Sequence, residues 1–153
     1  MKIVLFQPQI PSNTGNIVRT CSITGTGLTL VRPIAFRISD RALKRAGLDY
    51  WDEVNIEYVD DLENYLQEVK KPFYFLSTKA TKPYTEISFT EDDLIIFGSE
   101  TGGLPAFFHE KYPHLFYTIP MIENKRSLNL SNSAAIVLYE ALRQQSFSSL
   151  QLN

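Results

Sequence analysis

The sequence predicts an α/β fold, a single-domain, mainly parallel sheet flanked by helices, and three observations carry that prediction. Short apolar, β-prone runs alternate with helical stretches along the 153 residues. Residues 73–76 and 94–97 are strongly apolar, as strands covered on both faces are. No repeat, low-complexity segment or linker divides the chain, so one domain is expected over residues 1–153.

Taken in order, residues 3–6 form a continuous apolar strand and residues 16–24 read as a helix. Gly25-Thr26-Gly27 is a turn leading into a strand at 28–31, which Pro33 closes. Asp40 can cap a short helix ending at Gly47. A strand at 55–59 precedes a helix at 61–70, where Leu62, Leu66 and Val69 fall at helical spacing. Strands at 73–76, 94–97 and 115–119 follow. The last element is a helix over 131–145 with Ala134, Val137, Leu138, Ala141 and Leu142 on one side.

Composition narrows the function. With 44% hydrophobic residues, a chain of this length buries roughly 68–70% of its unfolded surface around one core. The opening apolar run meets Gln7 and Pro8 too early for a signal peptide. No run approaches the roughly 18 apolar residues of a membrane span, so a cytoplasmic protein with no membrane association is expected. Cys21 is the one cysteine, which excludes an intramolecular disulfide and a cysteine-cluster metal site; it reads as a small apolar residue on a buried helix face. His109 and His114 read as surface or structural, and no metal is expected. A net charge of −2 argues against holding nucleic acid through overall charge. Local basic clusters remain at Arg37, Arg41, Lys44 and Arg45, at Lys79 and Lys82, and at Lys125 and Arg126. Taken by themselves, such clusters are usually solvated faces.

Generic cofactor and hydrolase motifs fail. Gly25-Thr26-Gly27 leads into a strand and not a helix, so it is no dinucleotide fingerprint, and neither a phosphate-binding loop nor a nucleophile elbow is present. What remains is three polar segments, each after an apolar strand, where open α/β sheets place their ligands. They are Asn13-Thr14-Gly15-Asn16-Ile17-Val18-Arg19, then Phe97-Gly98-Ser99-Glu100-Thr101-Gly102-Gly103-Leu104-Pro105, then Ile119-Pro120-Met121 continuing through Arg126-Ser127-Leu128-Asn129-Leu130-Ser131-Asn132-Ser133. Their spread along the chain implies one composite site.

In this order the segments resemble the three motifs of SpoU-type RNA 2'-O-methyltransferases of the SPOUT superfamily, over nearly the whole chain. The short length, the opening Gln9-Ile10-Pro11-Ser12-Asn13-Thr14-Gly15-Asn16 and the segment Arg45-Ala46-Gly47-Leu48-Asp49-Tyr50 look most like the tRNA (cytidine/uridine-34-2'-O)-methyltransferases. The resemblance implies a C-terminal trefoil knot, although true knots are nearly absent from proteins. It also implies S-adenosyl-L-methionine held in the knot loops, a homodimer with each site near the subunit interface, and tRNA, leucine tRNAs in particular, as substrate. The implied reaction, methyl transfer to the ribose 2'-hydroxyl of the wobble nucleotide, needs no metal. Most of its acceleration should come from holding two reactants at near-attack distance, worth roughly 7–11 kcal/mol.

Matched residue by residue, the resemblance puts the cofactor at Leu76, Gly98, Ile119, Ser127 and Leu128. The glycines Gly98, Gly102 and Gly103 suit a backbone that turns tightly and approaches a ligand closely. Arg19 matches an arginine placed at the ribose hydroxyl; because a guanidinium gives up protons reluctantly, orienting phosphate and stabilising a developing alkoxide suits it better than a base role. Glu100 could hydrogen-bond loop amides or balance the cationic centre, or be a helix-entry acid near Pro105. Asn129 and Ser131 could serve the ribose or bind loop backbone, or Ser131 or Asn132 could cap the last helix. Asn13 and Asn16 could bridge the first segment to the third or cap a nearby helix. Tyr139 matches a position at the pocket or dimer seam, with core packing the alternative. One departure stands out: Gly102 lies where related enzymes can carry arginine, which removes one possible contact to RNA phosphate. The competing readings are the same chemistry on ribosomal RNA or another tRNA position, a non-catalytic RNA-binding dimer of this fold, and a generic nucleotide-binding α/β protein.

Overall fold

The computed structural model describes residues 1–37, 48–123 and 126–151. The expected helix capped by Asp40, the basic residues Arg41, Lys44 and Arg45, Lys125, and residues 45–47 of the segment 45–50 lie outside the described residues. Strands β1 (Lys2–Phe6), β2 (Gly27–Val31), β3 (Ile56–Val59), β4 (Phe73–Leu76), β5 (Lys82–Pro83), β6 (Leu94–Phe97) and β7 (Phe116–Thr118) form one seven-stranded sheet in the order β3-β2-β1-β6-β4-β7-β5. Every pairing between named strands is parallel.

Among the described residues four helices flank it: α1 (Pro11–Thr24), α2 (Leu62–Val69), α3 (Ala106–Lys111) and α4 (Leu130–Gln144). Alternate side chains of each strand point to opposite faces, so a strand covered on both sides must be apolar throughout. In β1, Ile3 and Leu5 join a cluster with Ile17, Val18 and Cys21 of α1 and Val137, Leu138 and Ala141 of α4. Val4 points the other way, into a cluster with Leu62 and Leu66 of α2, Phe108 of α3, and Phe75 and Ile96. Cys21 is fully buried, which pushes its thiol up to about 12; it packs as a small apolar group.

The expected strands are found at their positions, with ends shifted by a residue or so. Helix α2 starts as predicted: the Asp61 carboxylate accepts from the Asn64 amide at 2.8 Å, and Lys70 closes the helix in a left-handed conformation. Gly25, at φ +67, ends α1 and supplies the expected turn. The largest correction is at the start of α1, expected at residue 16 and found at Pro11. Asn13, Thr14, Gly15 and Asn16 are poor helix formers, but the first three are buried and tertiary contacts hold them helical. Strand β5, helix α3 and 3-10 turns at Leu48–Glu53, Tyr84–Glu86 and Pro113–Leu115 were not foreseen; each is too short for periodicity to register.

Candidate active site

The sheet register brings the site together. Leu76 at the end of β4 pairs with Phe97 of β6 on one side and Tyr117 of β7 on the other, so three chain segments leave the sheet side by side. Around their exits lies a cavity of about 410 Å³, within the roughly 300–1,000 Å³ of small-molecule sites and at the carboxyl edge where open α/β sheets bind ligands. All five expected cofactor positions, Leu76, Gly98, Ile119, Ser127 and Leu128, line it, together with Glu100 and Asn129.

The segment after β6 is a tight loop closed on itself. The Ser99 amide donates to the Gly103 carbonyl at 3.1 Å and the Gly103 amide returns to the Ser99 carbonyl at 2.9 Å. Gly103 adopts φ +64, which favours glycine. A Cβ on Gly98 would lie 2.3 Å from the Gly103 carbonyl carbon and 2.6 Å from the Leu104 nitrogen. Gly98 is therefore required first by the loop's contact with its own backbone, a stronger reason than approach to a ligand. At Gly102, a Cβ would crowd the Ser99 hydroxyl at 3.2 Å.

Glu100 ties this loop to the first segment. Its Oε2 accepts from the Gln9 amide at 2.8 Å, and its Oε1 accepts from the Ile10 amide at 3.0 Å and from Asn13 Nδ2 at 3.1 Å. The Gln9 side chain answers by accepting from the Thr101 hydroxyl at 2.6 Å. Both carboxylate oxygens are thus engaged where α1 begins, and the N-cap residue Ile10 offers no side-chain cap of its own. The acid acts as a tertiary substitute for a cap, with its charge favourably placed at a helix N-terminus.

Asn13 continues the link: its Oδ1 accepts from Asn129 Nδ2 at 2.8 Å. Asn129 in turn caps α4, its Oδ1 accepting from the Ser131 and Asn132 amides at 2.9 and 3.3 Å. The cap of the last helix is therefore Asn129, not Ser131 or Asn132. Of the two asparagines offered as a bridge, Asn13 makes it, while Asn16 is exposed and holds Thr20 through its carbonyl. The three motifs are joined in one hydrogen-bonded chain, Glu100 to Asn13 to Asn129.

Arg19 is not brought into this cavity. Six residues past Asn13 on α1, it is rotated by about 240° and advanced by about 9 Å, so it faces another direction; it is exposed, with its guanidinium over the Tyr50 ring at 5.3 Å. Tyr139 is 42% exposed, which overturns core packing for it. The residues that sequence reasoning missed are Lys79 and His109, both lining the cavity. His109 stacks on Phe116 at 3.9 Å, and burial, with a contribution from Lys79, holds its imidazole below the ordinary range. Lys79 sat in a basic cluster already visible in the sequence; nothing local marks His109, because its place depends on the unforeseen α3. Among the described residues no cluster of histidine, cysteine or carboxylate could hold a metal ion, and no helix is long and apolar enough to cross a membrane.

Comparison with known proteins gives this geometry a family. A Bacillus subtilis (strain 168) protein provisionally designated a tRNA (cytidine(34)-2'-O)-methyltransferase is 48% identical, covering 99% of this chain and 97% of its own. A Methylovorus glucosotrophus (strain SIP3-4) protein named tRNA (cytidine(34)-2'-O)-methyltransferase is 46% identical, covering 95% and 96%. A solved structure described as giving structural insights into the 2-OH methylation of C/U34 on tRNA is 37% identical, with a TM-score of 0.86 over 95% of this chain and 96% of that one. The model of the SpoU rRNA Methylase family matches residues 1–139, and the chain belongs to that family.

Proposed function

We propose that this protein transfers a methyl group from S-adenosyl-L-methionine to the ribose 2'-hydroxyl of the wobble nucleotide, cytidine or uridine 34, of tRNA, leucine tRNAs being the expected acceptors. The observation that carries the reading is the cavity itself, lined by all five residues matched to cofactor positions, in a chain 46% identical to a named enzyme of that activity.

The walls suit this cofactor. Leu76, Phe97, Ile119, Leu128 and Leu130 offer apolar surface for an adenine ring, and Ser77, Thr78, Ser127 and Ser133 offer hydroxyls for a ribose and an amino-acid moiety. Bound there, the cofactor supplies an electrophilic methyl group. Gly98, Ile119 and Leu128 would hold it through backbone and apolar contact, and Ser127 through its hydroxyl or amide. Glu100 and Asn129 are positioning residues in this reading, because their side chains hydrogen-bond to the protein itself.

Arg19 would bind the acceptor RNA and steady the developing oxyanion in a site built from two subunits. Support for a homodimer is that Arg19 points away from its own cavity, and that α1 and α4 leave Ile23, Ile136 and Tyr139 exposed, at 60%, 38% and 42%, where a partner could cover them. The C-terminal trefoil knot belongs to the same proposal. The chain passes from β5 at the sheet edge to β6 near its centre, returns to β7, and then packs α4 against α1. One domain over residues 1–153 and a cytoplasmic location complete it.

The test is transfer of labelled methyl from S-adenosylmethionine to unmodified tRNA, with digestion and mass spectrometry placing the product. A 2'-O-methylated pyrimidine at position 34 supports the proposal; a methyl group at another tRNA position or only in ribosomal RNA replaces the substrate, and cofactor binding without transfer to any RNA removes the enzyme reading.

A further inference from the structure

Beside the main cavity lies a second recess of about 210 Å³, walled by Lys79, Ala80, Thr81, Lys82, His109 and Phe116. Lys79 and His109 line both spaces, so the two adjoin. The local fold explains the basic wall. After β4 the chain turns tightly, with the Ala80 amide donating to the Ser77 carbonyl at 3.2 Å and the Lys79 amide to the Ser77 hydroxyl at 3.2 Å. It then enters β5, where Lys82 pairs in register with Tyr117. That turn sets the two lysines three residues apart on the rim of one recess.

Among the described residues no carboxylate lines the recess and none compensates its charge, although the chain as a whole carries more acids than bases. Lys82 Nζ donates to the His114 carbonyl at 3.3 Å and lies over the Tyr117 ring at 5.7 Å; both partners are uncharged. Burial first, and the Lys79 charge second, hold the His109 imidazole below its ordinary range, which favours the neutral imidazole, a hydrogen-bond donor that adds no repulsion. Two ammonium groups, a threonine hydroxyl and an imidazole around a small hollow form a receptor for a singly charged, multi-oxygen anion.

We propose that this recess receives a backbone phosphate of the RNA acceptor, next to the nucleotide presented to the main cavity. The proposal rests on the reading of this protein as an RNA 2'-O-methyltransferase. It gives a weakly acidic protein a local anchor that fixes RNA register without reading sequence, as phosphate contacts do. It also supplies from β5 a cation at the site that Gly102 does not provide.

The test measures tRNA affinity against salt for the wild type, Lys82→Ala, Lys82→Arg and the Lys79→Ala/Lys82→Ala pair, with methyl transfer followed alongside. Lys82 lines the second recess and not the main cavity, so Lys82→Ala should keep cofactor affinity while tRNA binds about tenfold more weakly, as expected when a charge-assisted hydrogen bond is removed. The log–log salt slope should shrink by about one for each phosphate that the variant no longer neutralises. KM for tRNA should rise with kcat held, and Lys82→Arg should restore most of the affinity. If the wild type methylates tRNA and the double variant matches it in affinity and salt slope, the recess is no phosphate site and the enzyme reading stands. A wild type that neither binds nor methylates any RNA overturns both together.

Discussion

Asn13, Glu100 and Arg19 divide the work expected of this site. The Glu100 carboxylate accepts three N–H groups, two of them backbone amides ahead of α1. In Glu100→Gln an NH2 group would face at least one of those donors. Since a hydrogen bond to a charged group is worth about 1.5–3 kcal/mol, kcat/KM should fall roughly 10- to 100-fold, with a lowered melting temperature that Glu100→Asp only partly corrects. Steady-state kinetics with thermal melts on the same samples checks this; unchanged kinetics would reduce Glu100 to a surface acid. Arg19→Ala should behave differently, losing about 10²- to 10³-fold in transfer while titration calorimetry finds cofactor affinity nearly intact. A mutant with ordinary turnover would remove Arg19 from the mechanism. Gly98→Val should abolish cofactor binding by forcing residues 99–104 outward, since even a single carbon there meets backbone at 2.3 Å.

At the scale of elements, α4 is the beam on which the third motif rests. Its start is fixed by Asn129, and its far end by Gln144, whose side chain accepts from the Phe89 amide and donates to the Ile87 carbonyl, each at 2.9 Å. Glu140 steadies that end, accepting from Arg143 Nε at 2.8 Å and from Gln144 at 2.9 Å. These partners, Arg143 first, lower its carboxyl from the ordinary 4.5 to about 2. A folded-state value below the unfolded one means that the contribution of Glu140 is complete above about pH 4.5 and is lost as pH falls through about 2. The acid limb of a stability–pH profile should therefore be shallower for Glu140→Gln than for wild type, and identical limbs would show that the pair adds nothing. The apolar side of α4 matters more: Leu138 is fully buried, and Leu138→Ala should cost about 2–5 kcal/mol in chemical denaturation.

At the scale of the whole molecule, the question is which chain supplies Arg19 to which cavity. If the site is shared across a dimer, mixing inactive Arg19→Ala subunits with inactive Gly98→Val subunits creates one complete site per heterodimer. Random reassortment should then return about a quarter of wild-type activity. No recovery after verified subunit exchange would place Arg19 in its own subunit's site.

Much of this protein was determined by the sequence alone. Alternation of apolar runs with helical stretches specified the parallel sheet, because a strand covered on both faces must be apolar throughout, and β4 and β6 were readable to the residue. The motif residues of the main cavity were legible, Lys79 and His109 being the exceptions, because loops after parallel strands carry the ligand groups and these motifs resemble a known family. What the tertiary structure decided is what depends on contacts distant in sequence. The helical state of residues 11–15 comes from burial and from Glu100, against local propensity. Asn129 became the cap because its amide also reaches Asn13, 116 residues away. Arg19 faces away from the cavity through helix phase measured from a start that propensity misplaced. Lys79, Lys82 and His109 meet only because β5 and α3, too short to announce themselves, are held beside β7 by the strands already in place.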